Sequence, residues 1–180
     1  DLFQKQSLTF RAFKDLVIFE KNEVLKDDGK PYTVFTPYSK KWKAKLNDFY
    51  LKSYPTESYF NNFNQTKANP LLTLEWMGFT KHDEDWNDNA VDNAIVNKYH
   101  ETRDIPSLRG TSRLSVHLRF GTVSIRALAK AGLELNEKWL NELIWRDFYQ
   151  SILWHFPHVV KGSFRPAYDR IPWINDESQF

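Results

Sequence analysis

The sequence predicts a mainly α-helical protein with a short piece of extended chain near its N-terminus. Three observations carry that prediction. Stretches with helical spacing follow one another from Ala90 onward, the strongest over residues 137–156. Glycine and proline together number only 14 in 180 residues, few for a turn-rich β protein. The two β-rich runs, residues 16–19 and 32–35, are too few for a sheet covered on both faces.

Each element has a local reason. The runs Leu16-Val17-Ile18-Phe19 and Tyr32-Thr33-Val34-Phe35 flank Asp28-Gly29, a turn signal, so they read as two strands. Thr36-Pro37 then reads as a helix start, Thr as N-cap and Pro in the first turn, leading into a helix with a basic outer face to Leu46. Residues 47–89 are irregular, rich in Asn, Ser, Thr and Lys, with an acidic segment at 83–88, and read as an inter-domain connection. Three helices follow, at residues 90–100, at 125–130 closed by Gly132, and at 137–156. The expected division is therefore 1–46, 47–89 and 90–180.

Composition removes several function classes. With 41% hydrophobic and 27% charged residues the chain is globular rather than disordered. A net charge of +2 gives no global attraction to nucleic acid, so such binding needs a local basic face. The absence of cysteine excludes disulfides, a thiolate nucleophile and a Cys-ligated metal. The five histidines lack metal-ligand spacing, and no metal is expected. No apolar run is long enough to cross a membrane and no signal pattern opens the chain, so a cytoplasmic protein without membrane partners is expected.

Three segments could carry chemistry. Gly110-Thr111-Ser112-Arg113-Leu114-Ser115 places hydroxyls beside a glycine just ahead of a short helical run, where side-chain and backbone donors suit a diphosphate. Plain N-capping by Ser115 and Ser124 accounts for the same pattern, and spacing does not decide between them. In the last helix, Trp139, Glu142, Trp145, Arg146, Tyr149 and Leu153 fall on one side, with Leu140, Ile144 and Phe148 on the other. The first side could stack on flat rings and hydrogen-bond their edges, or could be a second buried face with a Glu142–Arg146 pair. Tyr99 and Arg103 share a face four residues apart, with Arg109, Arg113, Arg119 and Arg126 nearby, the best basic surface for phosphates.

The turn at 110–115, the helix motif Asn141-Glu142-Leu143-Ile144-Trp145-Arg146-Asp147-Phe148-Tyr149, and Tyr32-Thr33-Val34-Phe35-Thr36-Pro37 resemble the photolyase/cryptochrome family in their order and spacing. The likeness runs through nearly the whole chain but covers only the middle of a protein more than twice as long. It implies the last strands and helix of an α/β antenna domain, then the first half of an all-helical FAD-binding domain. By that resemblance Tyr99, Thr111, Ser112, Arg113, Leu114, Ser115, Trp139 and Arg146 would contact FAD. Arg103 would meet a DNA phosphate, and Glu142, Leu143, Ile144, Trp145, Arg146, Asp147, Phe148 and Tyr149 would form the lesion-facing helix, with Glu142 as the catalytic residue. The implied activity is light-dependent repair of cyclobutane pyrimidine dimers in damaged DNA by electron transfer from reduced FAD. A monomer when full length is implied, with this piece inactive alone. A second antenna chromophore, of folate or deazaflavin type, is also implied, with Lys161 at a folate-contacting position and Val160 departing from the usual polar residue. The competing implication is a cryptochrome-like FAD photoreceptor without repair, and the plainest alternative is an inactive remnant.

Overall fold

A computed structural model describes residues 5–14, 16–66, 70–81 and 89–179. The acidic segment, Asp83 to Asp88, lies outside the described residues. Seven α-helices are described: α1 (Phe35–Lys45), α2 (Asp48–Leu51), α3 (Asn93–Asn97), α4 (Tyr99–Thr102), α5 (Ser115–Phe120), α6 (Ile125–Leu135) and α7 (Glu137–His155). Among the described residues, short 3-10 helices lie at Thr56–Asn62, Pro157–Val160, Pro166–Arg170 and Glu177–Gln179.

The core is built around α7. At about 100° per residue, Leu140, Ile144, Asp147, Phe148 and Ser151 share one face, and all five are buried. Against that face lie Tyr38 and Trp42 of α1, neither more than 1% exposed, and Ile18 and Phe19 of the N-terminal segment. Phe148 meets Tyr38 at 5.2 Å between ring centroids, and Phe19 meets Trp42 edge-on at 5.4 Å. Burying such aromatic groups contributes about 1.5–3 kcal/mol each, which fixes α1 to α7 although their sequence separation is large. On the other flank α6 turns into α7 through Asn136. Helix α6 carries Ile125, Leu128 and Ala129 into the core.

Several expectations change here. Among the described residues no strand forms, and 16–19 and 32–35 make no ladder. The physical reason is visible at Ile18 and Phe19, whose N–H groups donate to Asp147 Oδ2 at 3.2 and 3.3 Å rather than to a neighbouring strand. The first helix begins at Phe35, not after a Thr36 cap, with Val34 as the flanking residue and no side-chain cap bond. The helix expected over 90–100 is two short ones, interrupted at Lys98. Gly132 does not close α6. It lies inside the helix because Leu140 presses on it: a Cβ there would sit 3.0 Å from the Leu140 Cβ. The true stop is Asn136, whose Oδ1 accepts from the N–H groups of Lys138 and Trp139 and so caps α7.

Candidate functional site

Asn136 also sets where the site begins. Its amide nitrogen donates to the Asn97 carbonyl at 3.1 Å, tying the start of α7 to α3 and α4. One turn on, Trp139 is 4% exposed and its indole N–H donates to Ser112 Oγ at 3.3 Å. The hydroxyl-rich turn is thereby fastened to α7. Its other anchor is Gly110, where a Cβ would stand 2.5 Å from the Thr102 carbonyl oxygen, a distance no side chain tolerates. Only glycine lets the turn lie against the end of α4. Arg113, at the bend, has φ +52°, a left-handed conformation that a non-glycine residue holds only under constraint.

These contacts enclose a hollow of about 290 Å³ lined by Tyr99, the turn from Thr111 to Ser115, Leu118, Trp139, Glu142, Leu143 and Arg146. Its wall combines hydroxyls and guanidinium groups with an indole and leucines, a mixture suited to a ligand with an anionic part and a flat apolar part. Tyr99, Thr111, Ser112, Arg113, Leu114, Ser115, Trp139, Glu142, Leu143 and Arg146, which the resemblance divided between FAD and DNA, line this one hollow. Ser115 does not cap α5; that helix starts at Ser115, and Leu114 flanks it without a cap bond. Ser124 does cap α6, accepting from the Ala127 N–H at 3.4 Å.

At the rim, Glu142 does not pair with Arg146. Its Oε1 accepts from Arg103 Nη1 at 2.5 Å, across from α4. Arg103 Nε also lies 3.4 Å from Asp104, and its guanidinium sits 5.7 Å from the Tyr99 ring centroid. Burial, and then the Glu142 charge, push the Tyr99 hydroxyl above its ordinary value. Arg146 is held differently, donating to the backbone carbonyls of Leu16 and Leu118. It forms a floor for the hollow by joining the N-terminal segment to α5.

The rest of the expected helix face divides. Trp145 turns away from the hollow and stacks on Phe35, with centroids 3.6 Å apart and planes 5° from parallel. Tyr149 stacks beside it at 5.4 Å and is exposed. Ile144, Asp147 and Phe148 are on the core side, none more than 5% exposed, so a surface made of every residue from Glu142 to Tyr149 is not what α7 offers. A straight helix cannot turn eight consecutive residues toward one partner. Lys161 and Val160 lie far along the chain at the surface, at the end of the 3-10 turn Pro157–Val160.

Asp147, which the resemblance put on the lesion-facing helix, is instead a buried core residue. Its Oδ2 accepts three bonds, from the Ile18 and Phe19 N–H groups and from Trp42 Nε1 at 3.0 Å, while Oδ1 is buried without a partner. Burial outweighs those three donors and pushes its carboxyl up to about 6. A signal existed: 147 falls in the same phase as Leu140, Ile144 and Ser151, and a carboxylate in a core phase demands partners.

Comparison with known proteins adds identity to this geometry. Residues 1–58 match the family described as DNA photolyase, and residues 139–180 match the FAD binding domain of DNA photolyase. A protein of Alkalihalophilus pseudofirmus named deoxyribodipyrimidine photo-lyase is 32% identical over 96% of this chain and 40% of its own length. One of the same name from a Synechococcus strain is 31% identical over 92% of this chain and 40% of its own. A Thermus thermophilus protein, again so named, is 38% identical over 48% of this chain and 22% of its own. The chain spans about 40% of the length of the first two relatives.

Proposed function

We propose that this chain, which belongs to the DNA photolyase family, supplies the phosphate-end FAD contacts and the lesion-facing helix of a light-dependent enzyme that repairs cyclobutane pyrimidine dimers in DNA. The observation that carries the reading is the hollow in which the hydroxyl-rich turn, Trp139 and Glu142 meet. Its donor set fits the anionic part of FAD: the hydroxyls of Thr111, Ser112 and Ser115 and the guanidinium of Arg113 offer hydrogen bonds and charge to phosphates. At about 290 Å³ it is at the lower end for a drug-sized ligand, so these residues account for part of the dinucleotide. Leu114, Leu118, Leu143 and Trp139 give that part dry walls.

When bound, reduced FAD excited by light supplies an electron to the dimer. The residues of this chain bind and orient. Arg103 takes a backbone phosphate and Tyr99 braces the guanidinium. Tyr149, exposed at the edge of α7, offers a ring face in place of the stacking a flipped lesion loses, worth about 1–3 kcal/mol per base. Glu142 accepts a hydrogen bond from an N–H at the pyrimidine edge and so orients the lesion at the mouth of the hollow. In this reading residues 1–46 belong to an α/β antenna domain, 47–89 to the connection and 90–180 to the flavin domain. The enzyme acts in the cytoplasm as a monomer of the relatives' length, and these 180 residues by themselves do not complete repair.

The test is Glu142→Ala in a protein of the relatives' full length. Repair per absorbed photon falls severalfold while bound flavin stays the same; unchanged repair refutes the assignment. A second reading, an FAD photoreceptor without repair, draws on the stacking of Trp145 against Phe35 instead of toward the hollow. It predicts flavin binding with no dimer cleavage under blue light in the same assay.

A further inference from the structure

We infer that the Arg103–Glu142 ion pair is a latch, which keeps the Glu142 carboxylate occupied at the rim of the hollow until a DNA phosphate takes Arg103. The inference rests on the repair reading above and deepens it by naming how the site is regulated.

A guanidinium can grip an oxyanion with two parallel N–H bonds along one edge of its fork. In Arg103, Nη1 is engaged by Glu142 at 2.5 Å and Nε faces Asp104 at 3.4 Å. Each edge of the fork that could grip a phosphate includes one of those two atoms. A phosphate must therefore displace a carboxylate to bind in the two-point manner. Until it does, Glu142 and Asp104 offset the charge of Arg103, so this guanidinium attracts an approaching polyanion less than a free one would.

The geometry makes Glu142 the group that moves. Asp104 is the next residue in the chain and travels with Arg103, whereas Glu142 reaches across from α7. Both partners are accessible, with 37% and 40% of their side chains exposed, so a ligand can compete for the pair. The backbone of Arg103 is anchored: its N–H donates to the Tyr99 carbonyl at 3.0 Å. The α4 turn it follows is held by the close approach of Gly110 to Thr102. Phosphate contact thus changes the partner of a guanidinium whose backbone is held in place and leaves a carboxylate at the mouth of the hollow without its cation. The freed side chain gains by finding the polar edge of a base there.

The test is a double-mutant cycle on binding of a fluorescein-labelled single-stranded oligothymidylate, read by anisotropy at fixed low salt, with folding of each variant checked by circular dichroism. E142Q removes the competitor for Arg103 and tightens binding roughly two- to fivefold, the range an exposed ion pair supports. R103Q weakens binding, and in that background E142Q changes affinity by less than about 1.5-fold, because the latch no longer exists. Equal tightening by E142Q in both backgrounds reports only the loss of a negative charge and overturns the latch, leaving repair standing. Weaker binding by E142Q alone overturns it as well. No binding by any folded variant overturns the latch, while the repair reading is judged by dimer cleavage in the Glu142→Ala assay. Should R103Q fail to fold, R103K replaces it, since lysine keeps the charge but cannot make the two-point grip; the latch then predicts a smaller E142Q effect than with arginine.

Discussion

Replacing Asp147 by asparagine tests the core that holds the site in place. The carboxyl is 1% exposed and its value is pushed from 3.8 up to about 6, a rise of about two units or roughly 3 kcal/mol at 1.36 kcal/mol per unit. The sign follows from the direction. Between about pH 4 and 6 the folded chain holds a proton that the unfolded chain has lost. The contribution of Asp147 to stability is therefore complete below about pH 4, declines as pH rises through about 6 and is absent above. In D147N the amide keeps an oxygen for the three donors and cannot titrate. Urea unfolding followed by tryptophan fluorescence, with wild type and D147N compared from about pH 4 to 7, isolates the residue because other carboxylates cancel in the difference. The stability of wild type relative to D147N falls by about 3 kcal/mol across that range. A difference that stays flat, or that rises with pH, refutes the reasoning. D147L, which strands the N–H groups of Ile18, Phe19 and Trp42, destabilises at every pH by several kcal/mol, at about 1–3 for each unsatisfied group.

Further expectations follow from the same contacts. Gly110→Ala forces the turn away from Thr102 and lowers stability by about 1–3 kcal/mol, with loss of FAD binding measured by quenching of flavin fluorescence. Trp139→Phe removes the bond to Ser112 and weakens the chain by about 1 kcal/mol in urea, without changing its helix content by circular dichroism. Phe35→Ala unstacks Trp145 and destabilises by about 3 kcal/mol, with a red shift in tryptophan emission as that ring meets water.

Much of the core phase of the last helix was legible in the sequence because an apolar repeat at helical spacing has one physical reading. Leu140 and Ile144 repeat at the core phase, and α7 runs almost as the pattern requires, from Glu137 to His155. Tyr99, the turn at 110–115 and Trp139 could be grouped in advance only through the family resemblance, since helix phase and hydroxyl spacing are local and left them in separate segments. What could not be read was long-range. Residues 16–19 look like a strand until a carboxylate from residue 147 takes two of their N–H groups, an interaction 129 positions apart at Ile18. Gly132 looks like a stop until Leu140 occupies the space beside it. Glu142 and Arg146 have the spacing of a pair, yet each finds a better partner on another element. Trp145 sits at the margin of the polar stripe, and its side was decided by Phe35, a residue from the other end of the chain.

The account stands most directly on where a flavin nucleotide touches this chain. The seven tryptophans give seven indole N–H resonances in a 15N-labelled sample, each a reporter of its own surroundings. On titration with FAD, the indole of Trp139 and the amides of residues 111–115 shift together and saturate, while the indole of Trp42, sealed in the core, does not move. Shifts confined to other surfaces, with Trp139 and the turn unchanged at saturating FAD, contradict the account.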